Sequence, residues 1–162
     1  MRILGIDPGS RITGVGIIDD ERLVYAESIK LGSGEMPARL AQLFTRLTEL
    51  IAEYQPNAAA VETVFVSRNP QSALKLGQAR GAAIAALMVA GVAVHEYAPR
   101  AIKQAIVGRG AAEKAQVRHM LQVLFGQVLD QGEDACDALA VALCHHHRAQ
   151  TQARLPAGVT LR

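Results

Sequence analysis

The sequence predicts an α/β fold, a five-stranded mixed sheet in which an antiparallel meander is followed by parallel strands, flanked by helices. Three observations predict it. Three short apolar runs joined by brief polar turns open the chain, which is the signature of a meander. A stretch with helical periodicity over residues 36–54 then separates the third run from a fourth. That helix makes a crossover, and right-handed crossovers lay the strands they join parallel. The remaining residues alternate between a strand-like run and helical patterns. With 162 residues, half of them hydrophobic, the chain is long enough for one domain with a full core.

The elements follow in order. Residues 3–6 (Ile3, Leu4, Gly5, Ile6) form strand one, a continuous apolar run stopped by Asp7-Pro8-Gly9. Residues 12–18 form strand two, and its Gly14 and Gly16 point to a close backbone approach or a bulge. Asp19-Asp20-Glu21 is a polar turn, and residues 23–31 form strand three. Met36, Leu40, Leu43, Phe44, Leu47, Leu50, Ile51 and Tyr54 recur at helical spacing until Gln55-Pro56-Asn57 ends the helix. Residues 58–62 form strand four, closed by Glu62, and residues 63–70 a loop. Residues 71–90 are helical, with Gly77, Gly81 and Ala85 repeating every four residues as a smooth stripe. Such a stripe serves equally for packing within the chain or for a dimer seam. Residues 92–97 form strand five. Pro99 opens a helix that runs to about Val107 and is broken by Gly108-Arg109-Gly110. Val117, Met120, Leu121 and Leu124 mark another helix, and the last runs from Glu133 to about Gln150. Residues 1–150 thus form a single domain, and 151–162 a flexible tail.

Composition narrows the function classes. The net charge is only +2, but residues 62–120 hold eight Lys/Arg against three acids, a segment at +5 beside a remainder at −3. A basic central segment suits a polyanion. The longest uncharged apolar run, residues 81–94, is too short for a bilayer, which needs about 20 residues. No membrane association is expected, and the chain enters its first strand at once, leaving no room for a signal peptide. Cys136 and Cys144 sit roughly 12 Å apart along one helix, beyond disulfide reach. A reducing, cytoplasmic location fits that pair.

Four acids fall at element ends: Asp7, Glu62, Asp134 and Asp137. Asp134 and Asp137, three apart, share a helix face. Taken singly, Asp7 reads as a turn cap and the two helical aspartates as partners of the helix dipole. Taken together, with the last helix packed N-terminus first against the carboxyl edge of the sheet, they line one pocket. Two carboxylates 5 Å apart repel by about 3 kcal/mol at an effective dielectric of 20. Such a set calls for a cation, and hard oxygen ligands select Mg²⁺ or Mn²⁺. Two ions would suit phosphodiester hydrolysis. The run His145-His146-His147 is a poor metal motif, because consecutive helical side chains diverge by about 100°. Cys136 turns away from the aspartate face and packs as a small apolar residue.

The stretches GIDPGSRITGVGII (5–18), VETVF (61–65), SALKLGQARGAAIAAL (72–87), KQAIVGRGAAEKAQV (103–117) and DACDALAVAL (134–143) resemble the RuvC family of bacterial Holliday junction resolvases, which have a ribonuclease-H-like fold. The resemblance covers nearly the whole chain and thins after about Gln150. It implies that Asp7, Glu62, Asp134 and Asp137 are metal-binding catalytic acids. It implies a homodimer that nicks two like-polarity strands of a four-way DNA junction symmetrically, leaving 5′-phosphate and 3′-hydroxyl ends. It also implies action in the cytoplasm, at the nucleoid when on DNA, alongside the branch-migration proteins RuvA and RuvB. Phe65 matches the family aromatic that stacks on bases, an interaction worth about 1–3 kcal/mol per base. Lys103 and Lys114 match positions that meet phosphate, and Lys114 is placed to stabilise transition-state charge. Arg68, Lys75 and Arg80 are further phosphate contacts, and Gly77, Gly81 and Ala85 would lie at the dimer seam. Three rival readings are an actin-like ATPase or sugar kinase, a catalytically idle DNA-binding scaffold, and a nuclease trimming RNA or linear DNA. The first needs a second domain that 162 residues cannot supply, intact acids disfavour the second, and the Phe65 loop disfavours the third.

Overall fold

The computed structural model describes residues 1–63 and 69–154. Strands β1 (Arg2–Asp7), β2 (Ile12–Asp19) and β3 (Arg22–Lys30) form the antiparallel meander. Helix α1 (Met36–Tyr54) crosses over to β4 (Ala58–Glu62), which pairs parallel to β1. Helix α2 (Pro70–Val89) crosses to β5 (Ala93–Tyr97), parallel to β4. The sheet order is β3-β2-β1-β4-β5. Helices α3 (Pro99–Val107), α4 (Lys114–Phe125) and α5 (Glu133–Arg154) complete the described chain. The mixed sheet and its element order are those the sequence predicts. The last helix continues four residues beyond Gln150 to Arg154, so residues 151–154 are helical and not part of a tail.

The sheet divides two cores. On one face α1 and α2 pack Leu43, Leu47, Leu50, Ala79, Ala83 and Leu87 against Leu4, Ile6, Val15 and Ile17. On the other, α5 lies between the sheet and α3 and α4, so Ala135 to His146 is buried almost without a break, Asp137 excepted. This helix touches its neighbours on most sides, and its small residues make that possible. A Cβ at Gly5 would run into the carbonyl oxygen of Ala138, and one at Gly14 into that of Asp134. The strand glycines therefore let the helix backbone rest directly on the sheet; of the two expectations for Gly14 and Gly16, close approach or bulge, the first describes both.

Local chemistry sets the helix ends. The Asn69 side chain accepts from the backbone N–H groups of Gln71 and Ser72 and starts α2. Glu113 and Gln116 form a reciprocal capping box that fixes the first turn of α4. Gly108 and Gly126 adopt left-handed conformations and end α3 and α4.

Candidate active site

Asp7 is the last residue of β1, and Glu62 the last of β4. The parallel register pairs Ile6 with Val61, so the next residues, Asp7 and Glu62, emerge side by side at the carboxyl edge of the sheet. Helix α5 begins at the same edge. The glycine at position 14 sits opposite Asp7 in the β1–β2 ladder and directly beneath the Asp134 backbone. That contact brings Asp134, and Asp137 one turn on, to the strand ends. Acids from three elements, spread over positions 7 to 137, are thereby gathered in one place.

The acids act on one another electrostatically. Burial pushes the Asp7 carboxyl up to about 8, reinforced by the charges of Glu62, Asp137 and Asp134. Glu62 is also raised, by burial first and then by Asp137. The two share a hydrogen bond in which Asp7 donates its proton and Glu62 accepts, which lowers Glu62 and raises Asp7. Without a cation, Asp7 is thus the acid that keeps its proton toward neutral pH.

Two lysines face the acids. Lys114 Nζ lies 2.6 Å from Glu133 Oε1 and 2.9 Å from Asp137 Oδ2. These hydrogen bonds, Glu133 first, raise its pKa well above the usual lysine range. The charges of Lys114 and Lys103 both act on Glu62 and favour its ionised form. Beside Lys114 and Asp137, a cavity of about 240 Å³ is lined by Val117, Arg118, Leu121 and Cys136.

The donor set fits a hard divalent cation. Four carboxylates offer only oxygen ligands, and burial, reinforced by their mutual repulsion, keeps a proton on Asp7. Among the described residues no three such side chains already stand at metal-holding distances from one another. Lys114 now supplies the nearest positive charge to Asp137, so ion binding would draw the carboxylates inward and release the Asp7 proton.

The other candidate residues are placed less uniformly. Lys75 is exposed on α2. Arg80 is committed to Glu96 at 2.6 Å with its side chain 23% exposed, so it ties α2 to β5. Gly77 and Gly81 face open space, and with Ala85 they form an exposed stripe flanked by Leu74 (71% exposed) and Met88 (58%). Packing within the described chain therefore does not account for the stripe. Phe65 and Arg68 lie outside the described residues. Cys136 and Cys144 are buried and unpaired. The histidine run does not converge: His145 Nδ1 meets the Tyr97 hydroxyl at 2.7 Å, while His146 and His147 turn toward Glu21. No described helix is long and apolar enough to cross a membrane. Sequence reading missed Glu133, whose role depends on a lysine nineteen positions away.

Comparison with known proteins agrees with this geometry. The family model described as Crossover junction endodeoxyribonuclease RuvC matches residues 3–145. A crossover junction endodeoxyribonuclease RuvC from Alkalilimnicola ehrlichii is 56% identical, over 95% of this chain and 96% of its own length. The Thermus thermophilus RuvC structure superposes with a TM-score of 0.86 at 34% identity, over 94% of this chain and 97% of that one. The T. thermophilus RuvC in complex with Holliday junction substrate gives 0.88 at 34% identity, over 94% and 96%. The fold is thus the ribonuclease-H-like arrangement, with its acids at the carboxyl edge of a mixed sheet. On the family match and these likenesses together, the chain belongs to the crossover junction endodeoxyribonuclease RuvC family.

Proposed function

We propose that this protein is a Holliday junction resolvase, a metal-dependent endonuclease that makes symmetric nicks in two like-polarity strands of a four-way DNA junction and leaves 5′-phosphate and 3′-hydroxyl ends. The observation that carries the reading is the convergence of Asp7, Glu62, Asp134 and Asp137 at one sheet edge in a chain of this family. The T. thermophilus relative, whose structure was solved with a Holliday junction substrate, supports the choice of DNA.

The four acids would hold Mg²⁺, or Mn²⁺ in its place, as two ions. Bound there, the ions would supply Lewis acidity for phosphodiester hydrolysis. The chain's own residues do the rest. The parallel β1–β4 pair sets Asp7 beside Glu62, and their half-buried setting raises both carboxyls. Lys114 brings a permanent positive charge to where the reacting phosphate would sit, and Lys103 adds a second near Glu62. In this reading Phe65, three positions after Glu62 in the sequence, stacks on a base at the crossover, and Lys75 and Arg68 meet backbone phosphates. Arg80 contributes only by exchanging Glu96 for phosphate.

Two sites acting on opposed strands require two copies. The exposed stripe of Gly77, Gly81 and Ala85 supports a homodimer seam along α2. RuvA and RuvB are the proposed partners, and the cytoplasmic nucleoid the place of action. The test is incubation with a synthetic mobile four-way junction and with a linear duplex of the same sequence, under Mg²⁺, Mn²⁺ and chelator. Paired, metal-dependent nicks on the junction alone are expected. Cutting of both substrates would indicate a general nuclease, and tight junction binding without cutting would indicate a scaffold.

A further inference from the structure

Lys114 is held at both of its ends. Its backbone begins α4 directly after the capping box of Glu113 and Gln116. Its ammonium is placed by two carboxylates that both belong to the first turns of α5, Glu133 at 2.6 Å and Asp137 at 2.9 Å. Asp137 belongs to the acid cluster. Glu133 is not among the leading influences on Asp7 or Glu62, and it is 65% exposed at the rim. Among the described residues its hydrogen-bond partner is Lys114, with the Arg118 charge a weaker influence.

We propose that Glu133 is a positioning residue that holds the Lys114 ammonium over the reacting phosphate. An ammonium carries three donors. One goes to Glu133, one to Asp137, and the third remains for a phosphate oxygen. When a cation occupies the acid cluster, Asp137 turns its oxygens to the ion, and Glu133 becomes the anchor that stays. Without it, a four-carbon side chain that is itself 65% exposed would sample many rotamers. Glu133 starts α5, where the helix dipole favours a carboxylate, so the anchor is itself held in place. The inference rests on the resolvase reading, because it gives Lys114 its phosphate.

Positioning predicts a split between catalysis and binding. In Glu133→Ala, single-turnover cutting of the junction falls about tenfold, a fraction of what a misplaced catalytic group can lose. Junction affinity in chelator is unchanged or tighter, because a negative charge near the DNA is gone. Glu133→Gln keeps a carbonyl acceptor at the same place and restores most of the rate. In a Lys114→Ala background, Glu133→Ala has no further effect, since Glu133 acts only through the lysine. The Lys114 side-chain NMR signals, ordered in the metal-free wild type, become averaged in Glu133→Ala. Wild-type cutting by Glu133→Ala, a persisting loss in the Lys114→Ala background, or unaltered lysine signals would each overturn the inference. If the wild type itself fails to cut the junction, the resolvase reading fails, and the lysine signals still report whether Glu133 orders Lys114.

Discussion

The proton that Asp7 retains beside Glu62 is the most informative feature at the scale of single residues. In the folded, metal-free chain Asp7 stays protonated up to about 8, against an ordinary value near 3.8. Between those values the unfolded state binds fewer protons than the folded one, so stability falls as pH rises. His145 and His146 have the opposite sign. Burial lowers both, His145 to about 4, so the folded chain resists protonation and stability rises with pH up to about 6.5. The two effects oppose each other below pH 6.5, and above it the carboxyl effect is unopposed. In chelator, the thermal midpoint is therefore expected to decline between pH 6.5 and 8. Asp7→Asn should remove that decline and raise the midpoint at pH 8 while abolishing cleavage, as a pH series of melting curves with a junction assay would show. A variant that melts along the wild-type curve would rule out the retained proton. Mg²⁺ should raise the wild-type midpoint more at pH 8 than at pH 6, because the ion favours the ionised carboxylates.

At the scale of elements, α5 resting on β1 and β2 decides the site. Gly14 leaves room for the Asp134 backbone, and Gly5 for that of Ala138. Gly14→Ala must push the helix off the sheet. An overpacked contact of this kind costs about 1–3 kcal/mol, or roughly 2–4 °C in midpoint for each kcal/mol in a chain of this size. It also displaces Asp134, so cutting should fall further than stability alone explains. Differential scanning fluorimetry beside single-turnover cleavage separates the two, and a variant with normal stability and rate would show that the approach is not tight. The turn after β1 is braced as well. Arg39 on α1 donates to the carbonyl oxygens of Ser10 and Gly34, tying the Asp7 loop to the start of the helix.

At the scale of the whole molecule, one face remains to be covered. The stripe Gly77, Gly81 and Ala85, with Leu74 and Met88 beside it, leaves α2 smooth and apolar toward solvent. A second copy laid against it would let two helices approach closely. Gly81→Glu places a charge in that seam and meets no neighbour within the described chain. It should yield a folded monomer that has lost paired nicking, seen by light scattering and by junction products. A dimer of unchanged mass would move the seam elsewhere.

The order of strands and helices, the antiparallel-then-parallel sheet and the placing of four acids at element ends were all legible in the residues. Each depends on local signals: the period of apolar residues, the turn at Asp7-Pro8-Gly9, and the acids flanking Cys136. The resemblance of five stretches to one family added the chemistry of those acids as an expectation. What the linear pattern did not contain was the pairing of side chains far apart in the chain. The Asp7–Glu62 proton, the seating of Lys114 between Glu133 and Asp137, the engagement of Arg80 by Glu96 and the openness of the Gly77–Gly81 face belong to that class. The sequence alone determined which elements form and which residues end them, because those choices are made within a few neighbouring residues. Only the tertiary structure decided which charges meet, because those distances are set by how a helix settles on a sheet.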